Sequence, residues 1–217
     1  MRYKFDSLQN ELKKKITEMG DLVHIAIQRT IQSLKERDLE LAEKIVADDS
    51  IIDNLETEIE QLCTHLVATQ QPIATDLRKI VSSYKIIFSL ERMGDLAADI
   101  ANISLRIGPV PLMKPLIDLP AMAELVISMM HTALKAFINE DVELARSLAE
   151  LDHQVDRYYK LIFDEIIDLI TKDPKVVSQG VYLLLVTRYI ERIGDYCTNI
   201  GEEVIYIVLG IREDLNK

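Results

Sequence analysis

The stretch Glu91-Arg92-Met93-Gly94-Asp95 returns a hundred positions later as Glu191-Arg192-Ile193-Gly194-Asp195. Between 91–100 and 191–200 the Glu, Arg, Gly, Asp and final Ile are identical, so the chain contains an internal repeat. In a helix, Glu91, Asp95 and Asp99 would lie on one face, one turn apart, with no Lys or Arg at i+4. Like charges so spaced cost roughly a few tenths of a kcal/mol per pair, and a mid-helix glycine costs about 1 kcal/mol relative to alanine. A bound cation, or the close approach of another helix, would offset these costs.

Six segments of the chain have apolar residues at intervals of three and four, the pattern of amphipathic helices. Three of them follow an aspartate in the N-cap position. The predicted helices span residues 5–34, 39–68, 75–105, 122–138, 142–171 and 175–207. Because the connections within each half are short, we predict an all-α fold of two tandem, pseudo-symmetric, up-down three-helix bundles with six long helices.

A proline-rich segment separates the two halves. Residues 108–120 hold four of the six prolines, which predicts a linker there, with a first bundle over 1–107 and a second over 121–217. The first two helices of each half align at an offset of 103 and the third helices at 100. A tandem duplication followed by the loss of a few residues explains this alignment.

The second helix of the first half carries its own acidic pair, Asp49 and Asp53, one turn apart. If it runs antiparallel to the third helix, a rise of 1.5 Å per residue gives the height of each residue above the connecting turn. Asp53 then lies at about 25 Å and Glu91 at about 24 Å. Asp49 and Asp95 both lie at about 30 Å. We therefore expect these four carboxylates to meet.

The second half repeats this arrangement. Asp156 comes out level with Glu191, and Asp152 with Asp195, at about 23 and about 29 Å. Four carboxylates in a partly desolvated groove would repel one another strongly without a counterion. Their hard oxygen donors suit divalent or ferric cations. The candidates are iron, manganese, magnesium and zinc, although a structural zinc site normally contains thiolates or imidazoles.

Further candidate ligands are Asp21 and Glu124, at similar heights on the first helices, and His153. Glu150 and His153 form one Glu-x-x-His, whereas a ferritin-like di-iron site needs two of them in one bundle. The first half has Ala47 and Ser50 at the matching positions. A carboxylate-bridged multinuclear metalloenzyme or a metal store stays an alternative. Because no nucleophile, general base or phosphate-binding loop is evident beside the carboxylates, a non-catalytic role is the favoured hypothesis.

The overall charge argues against nucleic acid as a partner. With 36 acidic and 25 basic residues the net charge is −11, which favours cations and basic protein surfaces. Cys63 and Cys197 lie within apolar helical patterns and form no Cys-x-x-Cys motif. We expect buried, reduced thiols in a cytoplasmic protein.

Over essentially its whole length the sequence resembles the PhoU family of phosphate-system regulators. The resemblance rests on the doubled Glu-Arg-x-Gly-Asp helices, on Gln71-Pro72-x-x-x-Asp76-Leu77-Arg78, and on the Asp-x-x-x-Asp pairs at 49/53 and 152/156. It implies cations bound on the acidic motifs and a regulatory, non-catalytic role. It further implies negative regulation of phosphate uptake and of the phosphate-sensing two-component system.

The expected partners are the phosphate-sensing histidine kinase and the ATPase subunit of the phosphate ABC transporter, which would bring the protein to the membrane only indirectly. A homodimer or higher homo-oligomer is also expected. Carried onto this chain, the resemblance implies one metal cluster at Asp49, Asp53, Glu91, Asp95 and Asp99, and another at Asp152, Asp156, Glu191, Asp195 and Asn199. Because Asn199 stands where the first half has Asp99, the second cluster has one negative charge fewer.

Overall fold

The computed structural model describes residues 2–216, with side chains from residue 5 onward. Residues 1 and 217, the outermost residues of the two predicted bundles, lie outside that range. The described residues form α-helices and one short 3-10 helix, without a strand. The helices are α1 (Arg2–Glu36), α2 (Leu39–Gln70), α3 (Thr75–Ile107), α4 (Asp118–Asn139), α5 (Val142–Arg146), α6 (Leu148–Lys172) and α7 (Val177–Leu209), with the 3-10 helix at Pro174–Val176. The predicted all-α fold is confirmed.

Aspartates start the helices where the sequence predicts it. The Asp38 side chain accepts a hydrogen bond from the Leu41 amide at 2.9 Å, and Asp141 accepts one from the Leu144 amide at 3.0 Å. Each bond satisfies one amide that the first helical turn leaves without a partner. Asp173 likewise accepts from the Lys175 amide at the 3-10 helix before α7.

The structure departs most from the predicted helix limits at the fourth and fifth helices. Helix α4 begins at Asp118, four residues before the predicted start at Met122, because Pro120 falls in its first turn, where a missing amide hydrogen removes no helical bond. The predicted fifth helix is divided at Ser147 into α5 and α6. Ser147 keeps right-handed helical dihedral angles of −63° and −16°, so the interruption is local.

The two halves pack against each other through four of their helices. Helix α3 lies against α7 and α1 lies against α4, whereas α2 contacts only α1 and α3 among the described elements. One apolar cluster runs through both halves and includes Met19 of α1, Leu90 of α3, Met130 of α4 and Ile190 of α7. The two bundles therefore share a core, and α2 and α6 flank it.

Buried polar contacts also join the halves. Glu203 of α7, with 7% of its surface exposed, accepts hydrogen bonds from Ser82 at 2.7 Å and from Lys85 at 3.0 Å. Arg212, in the segment after α7, also donates to Glu203. Because Ser82 and Lys85 belong to α3, this network crosses between the bundles.

Helix α4 is the one described helix long and apolar enough to cross a membrane by length and composition. Its 18-residue window has a mean hydropathy of 1.4, and 56% of the window is buried inside the molecule. Its apolar side chains line the core shared by the bundles, which accounts for its composition.

Candidate metal centre

The first carboxylate cluster lies where α2 and α3 pack together. Asp49 and Asp53 of α2 and Asp95 of α3 each offer a carboxylate oxygen, and the three oxygens lie within 4.8 Å of one another. Asp53 is exposed, whereas Asp49 and Asp95 are half-buried. Among the residues that the structure describes, these three form the one such group of acidic, histidine or cysteine side chains. Three of the four carboxylates that the helix-height estimate expects to meet thus lie close together in the structure.

Gly94 allows α2 to approach α3 at this height. A Cβ atom built on Gly94 would lie 3.0 Å from Ile52 Cδ1 and 3.5 Å from Asp49 Oδ1. The repeat glycine, Gly194, has more room, since its nearest neighbour, Asp152 Oδ1, is 3.6 Å away. The close helix contact expected from the sequence is therefore tightest in the first bundle.

Glu91 extends the first cluster into a less exposed position. Its side chain is 15% exposed, and its Oε2 atom is buried without a hydrogen-bond partner. Arg92 Nε lies 3.3 Å from that oxygen but is not aligned to donate to it. Burial, reinforced by the negative charge of Asp95, raises the pKa of Glu91 to about 7. Arg92 thus gives this carboxyl group an ion-pair partner but leaves its buried Oε2 without a hydrogen bond.

Arg92 adds a positive charge to the first cluster through ion pairs with Glu91 and Asp95. Its Nη1 donates to Asp95 Oδ2 at 2.8 Å, and the guanidinium lies over the Phe88 ring, 5.1 Å from the centroid. Asp95 follows Arg92 by three positions, and this i+3 spacing in the sequence is the signal for the ion pair. In the second bundle the repeat counterpart Arg192 donates to the Tyr196 hydroxyl at 3.4 Å, and Arg188 donates to Glu191 three residues later.

The other predicted residue of the first cluster, Asp99, lies outside the group of three. It is exposed but near enough to contribute to the raised pKa of Asp49, which burial and then Asp53 and Asp95 bring to about 6. Burial and Asp95 raise the pKa of Asp99 itself, opposed by Arg106 and Arg192. Because Arg192 belongs to α7, a charge of the second bundle also affects the pKa of Asp99.

The second cluster also contains carboxyl groups with raised pKa values, but its ligand atoms lie farther apart than those of the first. Asp152 is 7% exposed, and burial together with Asp156 and Asp195 raises its pKa to about 6. Burial and Asp195 raise the pKa of Glu191 to about 7, and its Oε2 atom is buried without a hydrogen-bond partner. Unlike the first cluster, it brings no three described ligand atoms within 4.8 Å of one another.

The remaining candidates lie at the edges of the two clusters. Asp21, Glu124 and His153 are exposed and Asn199 is half-buried, and none joins the group of three. His153 is close enough to Asp152 to oppose the rise of its pKa. Glu56, which the sequence interpretation did not consider, contributes to the raised pKa of Glu91.

Taken together, both helix pairs gather hard oxygen donors with few compensating positive charges. Such donor sets bind Mg²⁺, Mn²⁺, Ca²⁺ or iron in proteins. The half-buried carboxyl groups with raised pKa values would release protons when a cation binds. The geometry therefore fits a cation, most compactly at Asp49, Asp53 and Asp95.

Comparison with known proteins gives a consistent family match. The family model "PhoU domain" matches the chain twice, over residues 16–104 and 119–204. The chain is 36% identical over 213 residues to the "phosphate-specific transport system accessory protein PhoU homolog" of Clostridium acetobutylicum, covering 98% of this chain and 97% of that protein. It is 36% identical over 200 residues to the protein of the same description from Aquifex aeolicus, covering 92% and 90% of the two chains.

Two solved structures have the same fold. The crystal structure of PhoU from Pseudomonas aeruginosa superimposes with a TM-score of 0.90 at 32% identity, covering 95% of this chain and 100% of that one. The phosphate transport system regulatory protein PhoU from Streptococcus pneumoniae gives a TM-score of 0.90 at 33% identity, covering 97% and 99%. Both match the two-bundle architecture along nearly its full length.

Proposed function

This chain belongs to the PhoU domain family, and on that premise we propose that it is a metal-binding regulatory adaptor of phosphate homeostasis. In this proposal it restrains phosphate uptake and the phosphate-sensing two-component system by protein contact. The relatives named as accessory proteins of the phosphate-specific transport system support this role. So does the similarity to a structure described as a phosphate transport system regulatory protein.

The observation that supports metal binding is the meeting of Asp49, Asp53 and Asp95 within 4.8 Å. The first cation site would use these three carboxylates with Glu91 and Asp99 beside them. The second would use Asp152, Asp156, Glu191, Asp195 and Asn199. A bound cation supplies positive charge that relieves carboxylate repulsion and fixes α2 against α3, or α6 against α7.

The proposed action is non-catalytic. Both cysteines are buried and unpaired, and burial raises the pKa of Cys63 to about 12, which leaves that thiol a poor nucleophile at neutral pH. The burial of Cys197 raises its pKa as well. These thiols favour an adaptor in the reducing cytoplasm rather than thiol chemistry.

The proposed partners are the phosphate-sensing histidine kinase and the ATPase subunit of the phosphate ABC transporter. The protein would approach the membrane through them, and it would form a homodimer or higher homo-oligomer. Its net charge of −11 disfavours nucleic acid and favours basic protein surfaces.

Metal analysis tests the first half of this proposal. Protein purified without chelator or tag metal should contain more than one Mn²⁺, Fe or Mg²⁺ ion per chain and should gain thermal stability when Mn²⁺ is added. Glu91→Gln with Asp95→Asn should remove part of that content while the helical circular dichroism stays unchanged. As a matched control, Glu11→Gln with Glu18→Gln changes two exposed carboxylates of α1 and should leave metal content unchanged. Absence of metal together with absence of a thermal shift would refute cation binding.

Recovery of membrane proteins tests the second half. The immobilised chain should recover the sensor kinase and the transporter ATPase from detergent-solubilised membranes, identified by mass spectrometry, more from phosphate-rich than from phosphate-starved cells. Recovery that ignores phosphate supply, or that lacks both proteins, would contradict the adaptor. A metal content that supports turnover of a substrate would instead favour the metalloenzyme alternative.

A further inference from the structure

Helix α3 leaves a stripe of apolar side chains partly exposed on the outer side of the first bundle, with Arg92 of the same helix over its last ring, Phe88. Leu77, Val81, Tyr84 and Phe88 follow one another at spacings of four, three and four residues, so they lie on one helical face. Their exposed fractions are 39%, 43%, 46% and 47%. The stripe covers three turns, about 16 Å of helix. Exposed apolar stripes of this length are typical of surfaces that meet another protein.

Helix α2 provides the second wall of a groove beside this stripe. A depression of about 490 Å³ lies between the helices and is lined by Cys63, Val67, Ile80, Val81 and Tyr84, among others. Val67 is 43% exposed. Among the described elements α2 contacts only α1 and α3, so no other helix of the chain covers the groove.

The groove has an acidic edge along α2. Asp53, Glu56 and Glu60 follow one another on this helix, and they lead from the carboxylate cluster toward Val67. The Tyr84 phenol interacts with Glu60, which places that carboxylate beside the apolar stripe. Lys85, on the α3 side, is already neutralised by Glu203 at 3.0 Å. The charge at this surface is therefore negative on one edge only.

The matching face of the second bundle does not share this edge. At the alignment offset of 103, Tyr159 and Phe163 stand in place of Glu56 and Glu60. At the offset of 100 for the third helices, Val177 and Val181 of α7, each 47% exposed, replace Leu77 and Val81, whereas Arg188 stands in place of Phe88. A basic amphipathic helix therefore fits the first face and not the second.

We propose that the groove between α2 and α3 binds an amphipathic helix of a partner protein, with apolar residues facing Leu77–Phe88 and lysines or arginines facing Glu56 and Glu60. The bound segment would be about three turns long and would complete a four-helix arrangement on the first bundle. This inference rests on the proposed function, because the groove would be one surface through which the adaptor contacts a partner. The basic flank supplies orientation and the apolar face supplies most of the affinity.

A designed peptide tests the proposal on the full chain. The probe is an 18-residue leucine–lysine peptide patterned as an amphipathic helix, followed by fluorescence anisotropy, with a scrambled peptide of the same composition as the comparison. The patterned peptide should bind more tightly than the scrambled one. Val81→Asp should weaken its binding by about tenfold or more, because it places a charge against the apolar face. Glu56→Gln with Glu60→Gln should weaken it about threefold and reduce its salt dependence.

Leu161→Asp is the matched control, since Leu161 is an apolar residue of α6, 54% exposed, that does not line the groove between α2 and α3. It should bind the peptide as the unchanged chain does, and all variants should keep the helical circular dichroism. Equal binding of both peptides, or equal effects of Val81→Asp and Leu161→Asp, would overturn the proposal. So would a homodimer that Val81→Asp dissociates and the peptide does not displace, because a second copy would then occupy the groove. Because the test uses no membrane protein, its failure is distinguishable from failure of the phosphate-regulatory role.

Discussion

At the scale of single residues, this protein is defined by carboxyl groups that its own fold makes reluctant to ionise. Glu91 and Glu191 each place one oxygen in a buried position without a hydrogen-bond donor, and burial with a neighbouring aspartate raises each pKa to about 7. The neighbouring arginines oppose this rise without cancelling it. Such positions weaken the metal-free protein and strengthen a site for cations.

A pH dependence of stability follows for the metal-free protein. An unfolded glutamate has a pKa of about 4.3, whereas Glu91 and Glu191 keep their protons up to about pH 7 when folded. Between these values the folded state binds more protons, so the free energy of unfolding should be highest near pH 4–5 and should fall as the pH rises to about 8. Urea unfolding in the presence of EDTA at several pH values measures this fall.

The variant Glu91→Gln with Glu191→Gln should flatten that pH dependence, because both titrating groups are gone. The double change Glu11→Gln with Glu18→Gln, on exposed positions of α1, should leave the slope as it is. An unchanged slope in the first variant would show that other groups, such as Asp49 and Asp152, account for the effect.

At the scale of helices, the two repeats differ in how closely their pairs pack. The Cβ position at Gly94 meets Ile52 at 3.0 Å, whereas that at Gly194 meets only ordinary contacts from 3.6 Å outward. Close helix packing therefore requires the glycine of the repeated motif more strictly in the first bundle than in the second. The first bundle also holds the compact group Asp49, Asp53 and Asp95.

Alanine substitution should separate these two glycines. Gly194→Ala should raise the free energy of unfolding by up to about 1 kcal/mol, because alanine is the better helix former. Gly94→Ala should gain less or lose stability, because its methyl group must displace Ile52 Cδ1. Urea unfolding with EDTA compares the variants, and a larger gain for Gly94→Ala would contradict this account.

The helix pairs should also release cations in a fixed order. We expect α6 and α7 to lose metal first in a chelator titration, because their carboxylates are more dispersed and Asn199 replaces Asp99. Glu91→Gln with Asp95→Asn isolates the second cluster in the full chain, and Glu191→Gln with Asp195→Asn isolates the first. Metal content after each EDTA step gives the order.

The exchange Asn199→Asp should narrow the difference in metal affinity between the two clusters. Asp99→Asn should narrow it too, by removing a negative charge near the first cluster, since Asp99 lies outside the compact group. Tighter binding by the second cluster would mean that Glu124 or His153 contributes ligands there.

At the scale of the whole molecule, the two repeats share one apolar core. The apolar core passes through α1, α3, α4 and α7 without a boundary, and Glu203 connects α7 to Ser82 and Lys85 of α3. Separate halves would expose this shared core to water, so we expect the metal-free chain to unfold in one cooperative transition. A cation bound in one bundle would then stabilise both.

Glu203→Ala measures the connection between the bundles. Removing the acceptor of three hydrogen bonds should cost about 1–3 kcal/mol of unfolding free energy, with the donors Lys85 and Arg212 partly rehydrated. Glu213→Ala is the control, because Glu213 pairs with Arg146 within the second half at a solvent-accessible site, where an ion pair contributes little to stability. Equal losses in urea unfolding would show that Glu203 does not hold the bundles together.

The sequence by itself determined the helices, the repeat and the approximate meeting of the carboxylates. Helical periodicity and N-capping are local, so apolar spacing and residues such as Asp38 and Asp141 suffice to predict them. The rise of 1.5 Å per residue then gives the height of Asp49 and Asp95 without any knowledge of packing. The doubled motif also carried the family resemblance.

Only the tertiary structure decided how each helix is rotated and what covers it. That rotation depends on packing between residues far apart in sequence, such as Gly94 against Ile52. It brings Asp53 into the compact group and leaves Asp99 outside it. The core shared by both bundles and the uncovered stripe from Leu77 to Phe88 have the same origin, because amphipathic periodicity shows that a face is apolar but not which neighbour buries it.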